Sequence, residues 1–139
     1  MEKINNKALK VLIVDDVPSI RKDLRTLLIL VGGLEVVGEA ANGDEAVRLA
    51  RTLNPNVVLM DLEMPLLNGF QATGRIKKLY PNCRVVALTI HDSKEERRKA
   101  FAAGVDVFVV KGAPVEELIA SIRGDLSNKS NRRWDSTST

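Results

Sequence analysis

The sequence is poor in the residues that disulfide, zinc and membrane architectures need. Among 139 residues there is one cysteine, Cys83, and one histidine, His91. A lone cysteine excludes an intramolecular disulfide, and a histidine without ligand-spaced partners leaves zinc without its soft donors. Cys83, next to a valine-rich run, reads as a small, partly buried hydrophobe with no redox role. No apolar run approaches the roughly 18 residues that span a bilayer. Met1 to Lys10 is polar and lacks the apolar stretch of a signal peptide, so the expected compartment is the cytoplasm. A basic surplus is also missing from the part that can fold. Net charge is +3, and the residues from Ser121 onward hold two of it (Arg123, Lys129, Arg132 and Arg133 against Asp125 and Asp135), leaving +1 on the first 120. Direct nucleic-acid binding by this chain is therefore not expected.

What is present is an ordinary globular balance, 45% apolar and 28% charged, in a length that suits one domain with its own core. Five short apolar runs, Val11 to Val14, Glu35 to Val37, Val57 to Met60, Val85 to Leu88 and Val107 to Val110, are continuous rather than alternating. Such runs fit strands of a parallel sheet buried on both faces. Helical stripes lie between them. Ile20, Leu24, Leu27, Leu28 and Val31 follow Pro18 and stop at Gly32-Gly33; Ala46, Leu49, Ala50 and Leu53 stop at Asn54-Pro55. Ile76, Leu79 and Tyr80 precede Pro81; the charged stretch from Ser93 to Ala103 stops at Gly104; Val115, Leu118, Ile119 and Ile122 follow Pro114. Strict strand–helix alternation predicts an α/β, flavodoxin-like doubly wound sheet of five parallel strands, order 2-1-3-4-5, with five helices. Residues 1–9 read as an extension, 10–123 as the domain, and 124–139, which includes Trp134, as a polar and disordered tail.

In a doubly wound sheet ligands sit at the carboxyl ends of the strands, by the switch point between strands 1 and 3. Asp15 and Asp16 end the first run, Asp61 the third, Thr89 the fourth and Lys111 the fifth. Three carboxylates against one lysine leave a site charge of about −2, which calls for a cation. Mg2+ suits such a set, because it takes one or two carboxylates, keeps several waters and pairs with phosphate oxygens. The same set can accept a phosphoryl group, with Asp61 as nucleophile and Lys111 and Thr89 on the phosphoryl oxygens.

Taken together, Val-Leu-Ile-Val-Asp-Asp, Val-Val-Leu-Met-Asp-Leu-Glu-Met-Pro-Leu-Leu-Asn-Gly, Ala-Leu-Thr and Phe-Val-Val-Lys resemble the receiver domain of bacterial response regulators, over about Lys10 to Arg123. The wording Leu-Thr-Ile-His-Asp and Val-Glu-Glu-Leu-Ile is nearest to regulators that carry a C-terminal helix-turn-helix of the LuxR type. The resemblance implies Asp61 as phosphoacceptor, with Mg2+ held by Asp16, by Asp15 through water, by Asp61 and by the Glu63 backbone carbonyl. It implies Thr89 and Lys111 on the phosphoryl group and Thr89 and Phe108 as switch residues. It also implies a phosphohistidine on a sensor histidine kinase as donor, or a small phosphodonor, and dimerisation on phosphorylation. Signalling is expected through the helix 4, strand 5 and helix 5 surface. Either the chain stands alone or it is the receiver portion of a longer transcriptional regulator, and the wording favours the latter.

Several positions carry more than one reading. Phe108 is a core aromatic, a switch, or both. Gly69 either adopts a positive φ or permits close packing, and Met64-Pro65 and Asn68-Gly69 are loop chemistry. Lys94 to Lys99 is a solvated face or a partner surface. His91 is an exposed loop residue, or with Glu63 it tunes hydrolysis of the phosphoryl group, each lying two residues beyond Thr89 and Asp61 respectively. Gly112 follows Lys111 where many receivers have proline, and Ile90 follows Thr89 where a small residue is common, so Ile90 is expected to narrow access to the site. A magnesium-dependent phosphatase using Asp61 and a degenerate receiver serving only as a dimerisation platform are the competing readings; the first lacks a cap domain and the second is at odds with the full acidic set.

Overall fold

The valine-rich runs are the strands of one parallel sheet. The computed structural model describes residues 9–64 and 68–124. Strands β1 (Lys10–Val14), β2 (Glu35–Ala40), β3 (Val57–Asp61), β4 (Arg84–Thr89) and β5 (Val107–Val110) alternate with helices α1 (Pro18–Leu30), α2 (Gly43–Leu53), α3 (Gly69–Leu79), α4 (Lys94–Ala103) and α5 (Val115–Arg123). The strand order is β2-β1-β3-β4-β5, as the alternation predicted. Residues 1–8 of the expected 1–9 extension, residues 125–139 of the expected tail, which include Trp134, and Pro65 of the Met64-Pro65 loop lie outside the described residues.

Because side chains alternate across a pleated strand, each run feeds two cores. Leu12, Val14, Val58 and Met60 face α2, α3 and α4, with Ala46, Ala72 and Phe101 packed on them. Val11, Ile13, Val57 and Leu59 face α1 and α5, with Leu28, Leu118 and Ile122. β3 is buried along its whole length, so its register is pinned from both faces, with Val57 paired to Val11 on one side and to Arg84 on the other. Strand ends are thereby held in a fixed stagger, which is what makes a multi-strand site rigid.

Helix starts follow local chemistry. Asn42 caps α2 by accepting from the Glu45 N–H; Asn68 and Gln71 form a reciprocal capping box on α3; Ser93 caps α4. Asn54 and Gly104 adopt left-handed conformations at the ends of α2 and α4. Gly69 has no positive φ, which decides between its two readings. A methyl group there would collide with the Asp61 carbonyl oxygen and the Leu62 Cα, so the glycine lets α3 begin against the end of β3. α1 departs from its stripe. Of the five predicted apolar positions only Leu28 is fully buried, and Ile20, Leu27 and Val31 are 36%, 38% and 55% exposed. Ile20, Leu24 and Leu27 instead line a cavity of about 240 Å³ shared with Val109, Val115 and Leu118.

Candidate functional site

Asp61 is the last residue of β3, and its carboxylate is 3% exposed. Asp15 directly follows β1, its N–H donating to the Ala40 carbonyl at 3.0 Å, and it too is buried. Asp16 is the member of the trio that opens toward solvent. Carboxylate oxygens of Asp15, Asp16 and Asp61 lie within 4.8 Å of one another. Lys111 reaches in from the end of β5, its Nζ at 3.5 Å from Asp15 Oδ2 and 3.6 Å from Asp61 Oδ1. The Lys111 N–H donates to the Thr89 carbonyl at 2.7 Å, which fixes the two strand ends relative to each other. The sheet thus gathers Asp15, Asp16, Asp61 and Lys111 into one pocket.

Burial dominates the electrostatics. It pushes the Asp61 carboxyl up to about 7, reinforced by the neighbouring Asp15 and Glu63 charges and opposed by the Glu63 N–H and by Lys111. One ammonium at about 3.6 Å does not satisfy two buried carboxylates. The donor set is oxygen only, crowded and net negative, and it fits a small hard divalent cation. Cys83, the one cysteine in the sequence, is buried at the opposite end of β4, where burial raises its thiol.

The remaining predicted residues take other places. Thr89 is fully buried at the end of β4, and its hydroxyl donates to the Glu63 carboxylate. The Glu63 N–H donates to Asp61 Oδ1 at 3.0 Å. His91 is exposed, and only its backbone N–H reaches the cluster, donating to Thr89 Oγ1 at 3.0 Å. Phe108 is fully buried under α4, with its ring centroid 6.3 Å from that of Phe101. Ile90 is 63% exposed. No described peptide bond is cis, and Gly112 has φ +95°, a conformation closed to a proline ring.

Two contributors escaped the sequence reading. Arg21 on α1 donates from Nη1 to the Asp15 carbonyl at 2.6 Å while its Nε holds Glu39 at 3.1 Å, so it braces the turn that carries both acids. Arg97 was indistinct within the charged run of α4. Its guanidinium lies 4.7 Å from the Phe108 ring centroid, and its Nε bonds Asp92 at 2.8 Å. Lys99 likewise sits over Phe70, at 5.2 Å, whereas the Arg98–Glu95 pair is solvent-exposed. The run is therefore part packing, part solvated face. Neither arginine has a local sequence signal, because its partners come from other elements.

The model of the response regulator receiver domain matches residues 11–123. The chain belongs to that family. This receiver is 37% identical over 115 residues to the response regulator GacA of Pseudomonas syringae pv. syringae, which covers 83% of this chain and 54% of that protein. It is 36% identical over 121 residues to the response regulator UvrY of Escherichia coli, covering 87% of this chain and 56% of that protein. It spans about half the length of these curated relatives. Among solved structures it resembles a LuxR-family two-component response regulator from Aurantimonas sp. SI85-9A1, with a TM-score of 0.81, 34% identity and coverage of 91% and 89% of the two chains. A LuxR-family DNA-binding response regulator from Staphylococcus aureus aligns with a TM-score of 0.78 and 31% identity, over 84% of this chain and 97% of that one. The relatives agree with the LuxR-type wording of the sequence. Among the described residues no helix is long and apolar enough to cross a membrane.

Proposed function

We propose that residues 10–123 form a cytoplasmic switch that takes a phosphoryl group from a sensor histidine kinase onto Asp61. A carboxylate oxygen attacks phosphorus in line, the N–P bond to the donor imidazole breaks, and the product is an acyl phosphate on Asp61. Asp15, Asp16, Asp61 and the Glu63 backbone carbonyl would hold Mg2+, which when bound would supply positive charge for the phosphoryl oxygens. Lys111 neutralises a further oxygen, and the Thr89 hydroxyl donates to another. Small phosphodonors serve the same site, and water slowly removes the group. Glu63 and His91, whose side chains lie two residues beyond Asp61 and Thr89, set that lifetime, so Glu63→Ala and His91→Ala are each expected to change the decay of the acyl phosphate.

The consequence is a rearrangement at α4, β5 and α5, through Thr89 and Phe108, that changes partner binding or drives homodimerisation. In a longer regulator of the LuxR type, that change would control transcription through a separate DNA-binding domain.

One observation carries the reading: a buried carboxylate at the end of the central strand, 3% exposed, faces an ammonium at 3.6 Å and two further carboxylates. Incubation with acetyl phosphate and Mg2+ tests it. The expected result is a stable gain of one phosphoryl mass, located on Asp61 and absent from Asp61→Asn. Turnover without accumulation would indicate a phosphatase, and no labelling a degenerate receiver.

A further inference from the structure

Glu63 joins two strand ends. Its backbone N–H donates to Asp61 Oδ1, and its carboxylate accepts the Thr89 hydroxyl. A threonine hydroxyl has one proton to give. Of its two acceptor sites one is already taken by the His91 N–H, which donates at 3.0 Å. Thr89 is fully buried, so no water competes for that proton. A phosphoryl oxygen on Asp61 can receive the Thr89 proton only if Glu63 gives it up.

We infer that Glu63 is a positioning residue that holds the Thr89 hydroxyl until a phosphoryl group takes it. The inference rests on the phosphoacceptor reading of Asp61 and adds a competitor to it. Both acceptors are anionic, so the exchange is between two charge-assisted bonds of similar strength. Glu63 is half-buried, and its freed carboxylate can turn to water. The unphosphorylated arrangement is thereby favoured by the worth of one such bond, and removing Glu63 makes the phosphorylated arrangement easier to reach. Glu63 also places a negative charge near the incoming group, so charge and hydrogen bonding must be separated.

Beryllium trifluoride, a phosphoryl mimic, separates them in the full chain. Its apparent affinity is measured at fixed Mg2+ and fluoride from backbone amide shifts, for the parent, Glu63→Ala, Glu63→Gln, Thr89→Val and the Glu63→Ala/Thr89→Val pair. Glu63→Ala is expected to tighten binding about tenfold when Thr89 is present. In the Thr89→Val background the gain should shrink to about twofold, the residue of charge alone. Glu63→Gln, which loses the charge but keeps an acceptor, should gain less than Glu63→Ala. Equal gains in the two backgrounds, equal gains for the alanine and glutamine variants, or no gain would each overturn the inference. Failure of the parent itself to bind in Mg2+ would instead remove the phosphoacceptor reading, and the inference with it. Thr89→Ala replaces Thr89→Val if the latter does not fold.

Discussion

Asp61 should destabilise the metal-free protein at neutral pH, and Asp61→Asn should relieve it. The carboxyl is raised from 3.8 to about 7, burial being the largest cause. An acid with a raised pKa binds its proton more tightly folded than unfolded. The contribution of Asp61 is therefore most favourable below pH 3.8, falls as pH climbs through the window up to about 7, and is flat above it. A shift of about three units corresponds to about 4 kcal/mol at 1.36 kcal/mol per unit, of which about 3 kcal/mol lies between pH 5 and 8. Glu39, whose carboxyl Arg25 and Arg21 hold below its ordinary 4.5, and Glu95, lowered by its bond to Arg98, act in the opposite sense, and their contributions are nearly complete by pH 5. Urea unfolding in EDTA at pH 5 and pH 8 thus isolates Asp61. The parent should lose about 3 kcal/mol over that span. Asp61→Asn keeps an acceptor for the Glu63 N–H and should show a much flatter profile, being the more stable protein at pH 8. Mg2+ should stabilise the parent more at pH 8 than at pH 5, and the variant little at either. Parallel profiles for parent and variant would refute the argument.

Gly69→Ala should cost about 2 kcal/mol, because the added methyl meets Asp61 and Leu62 backbone rather than a side chain that can move; an unchanged melting temperature would contradict it. Arg97→Ala should cost about 1–2 kcal/mol through the lost contact over Phe108 and the lost bond to Asp92. Urea unfolding reads this, and a change under about 0.3 kcal/mol would show that Arg97 is only surface charge. Ile90→Ala should speed labelling by acetyl phosphate while shifting stability by no more than about 0.5 kcal/mol, since the side chain is 63% exposed. Equal labelling rates would show that Ile90 does not narrow access.

The sheet was legible because β3 and its neighbours are buried on both faces and so must be apolar at every position. The site was legible because strand ends converge at one edge, and a residue's place in the chain then fixes its place in the pocket. Strand limits shifted where polarity hid them: β2 runs on through Gly38 and Glu39 to Ala40, paired to β1 although its outer half is only partly buried. The stripe of α1 misled because periodicity identifies an apolar face without identifying what covers it, and part of this face lines an open groove. Glu63 illustrates the harder limit. Its offset from Asp61 marked it as a neighbour of the site, but the partner of its carboxylate lies 26 residues away on β4. Arg21 and Arg97 depend in the same way on β2 and β5.

The two halves of the pocket work against each other in a way that suits a switch. Asp15 and Asp61 are buried close together with one lysine between them, so the resting site carries unfavourable charge that any neutralising event relieves. Thr89 and Glu63, by contrast, are satisfied in the resting state. On the reading proposed above, a group bound at Asp61 would gain from the first half and would disturb the second. The disturbance has a defined route, since the loop after β4 is tied to Thr89 by the His91 N–H and to α4 by the Asp92–Arg97 pair, and Arg97 covers Phe108. Linkage makes the coupling reciprocal. Whatever loosens Arg97 from Asp92 or Phe108 should alter affinity at Asp61 by the same factor by which occupancy at Asp61 alters that contact. Beryllium trifluoride affinity in Arg97→Ala is the measurement that reads it. An affinity equal to that of the parent would show that the loop transmits nothing to α4.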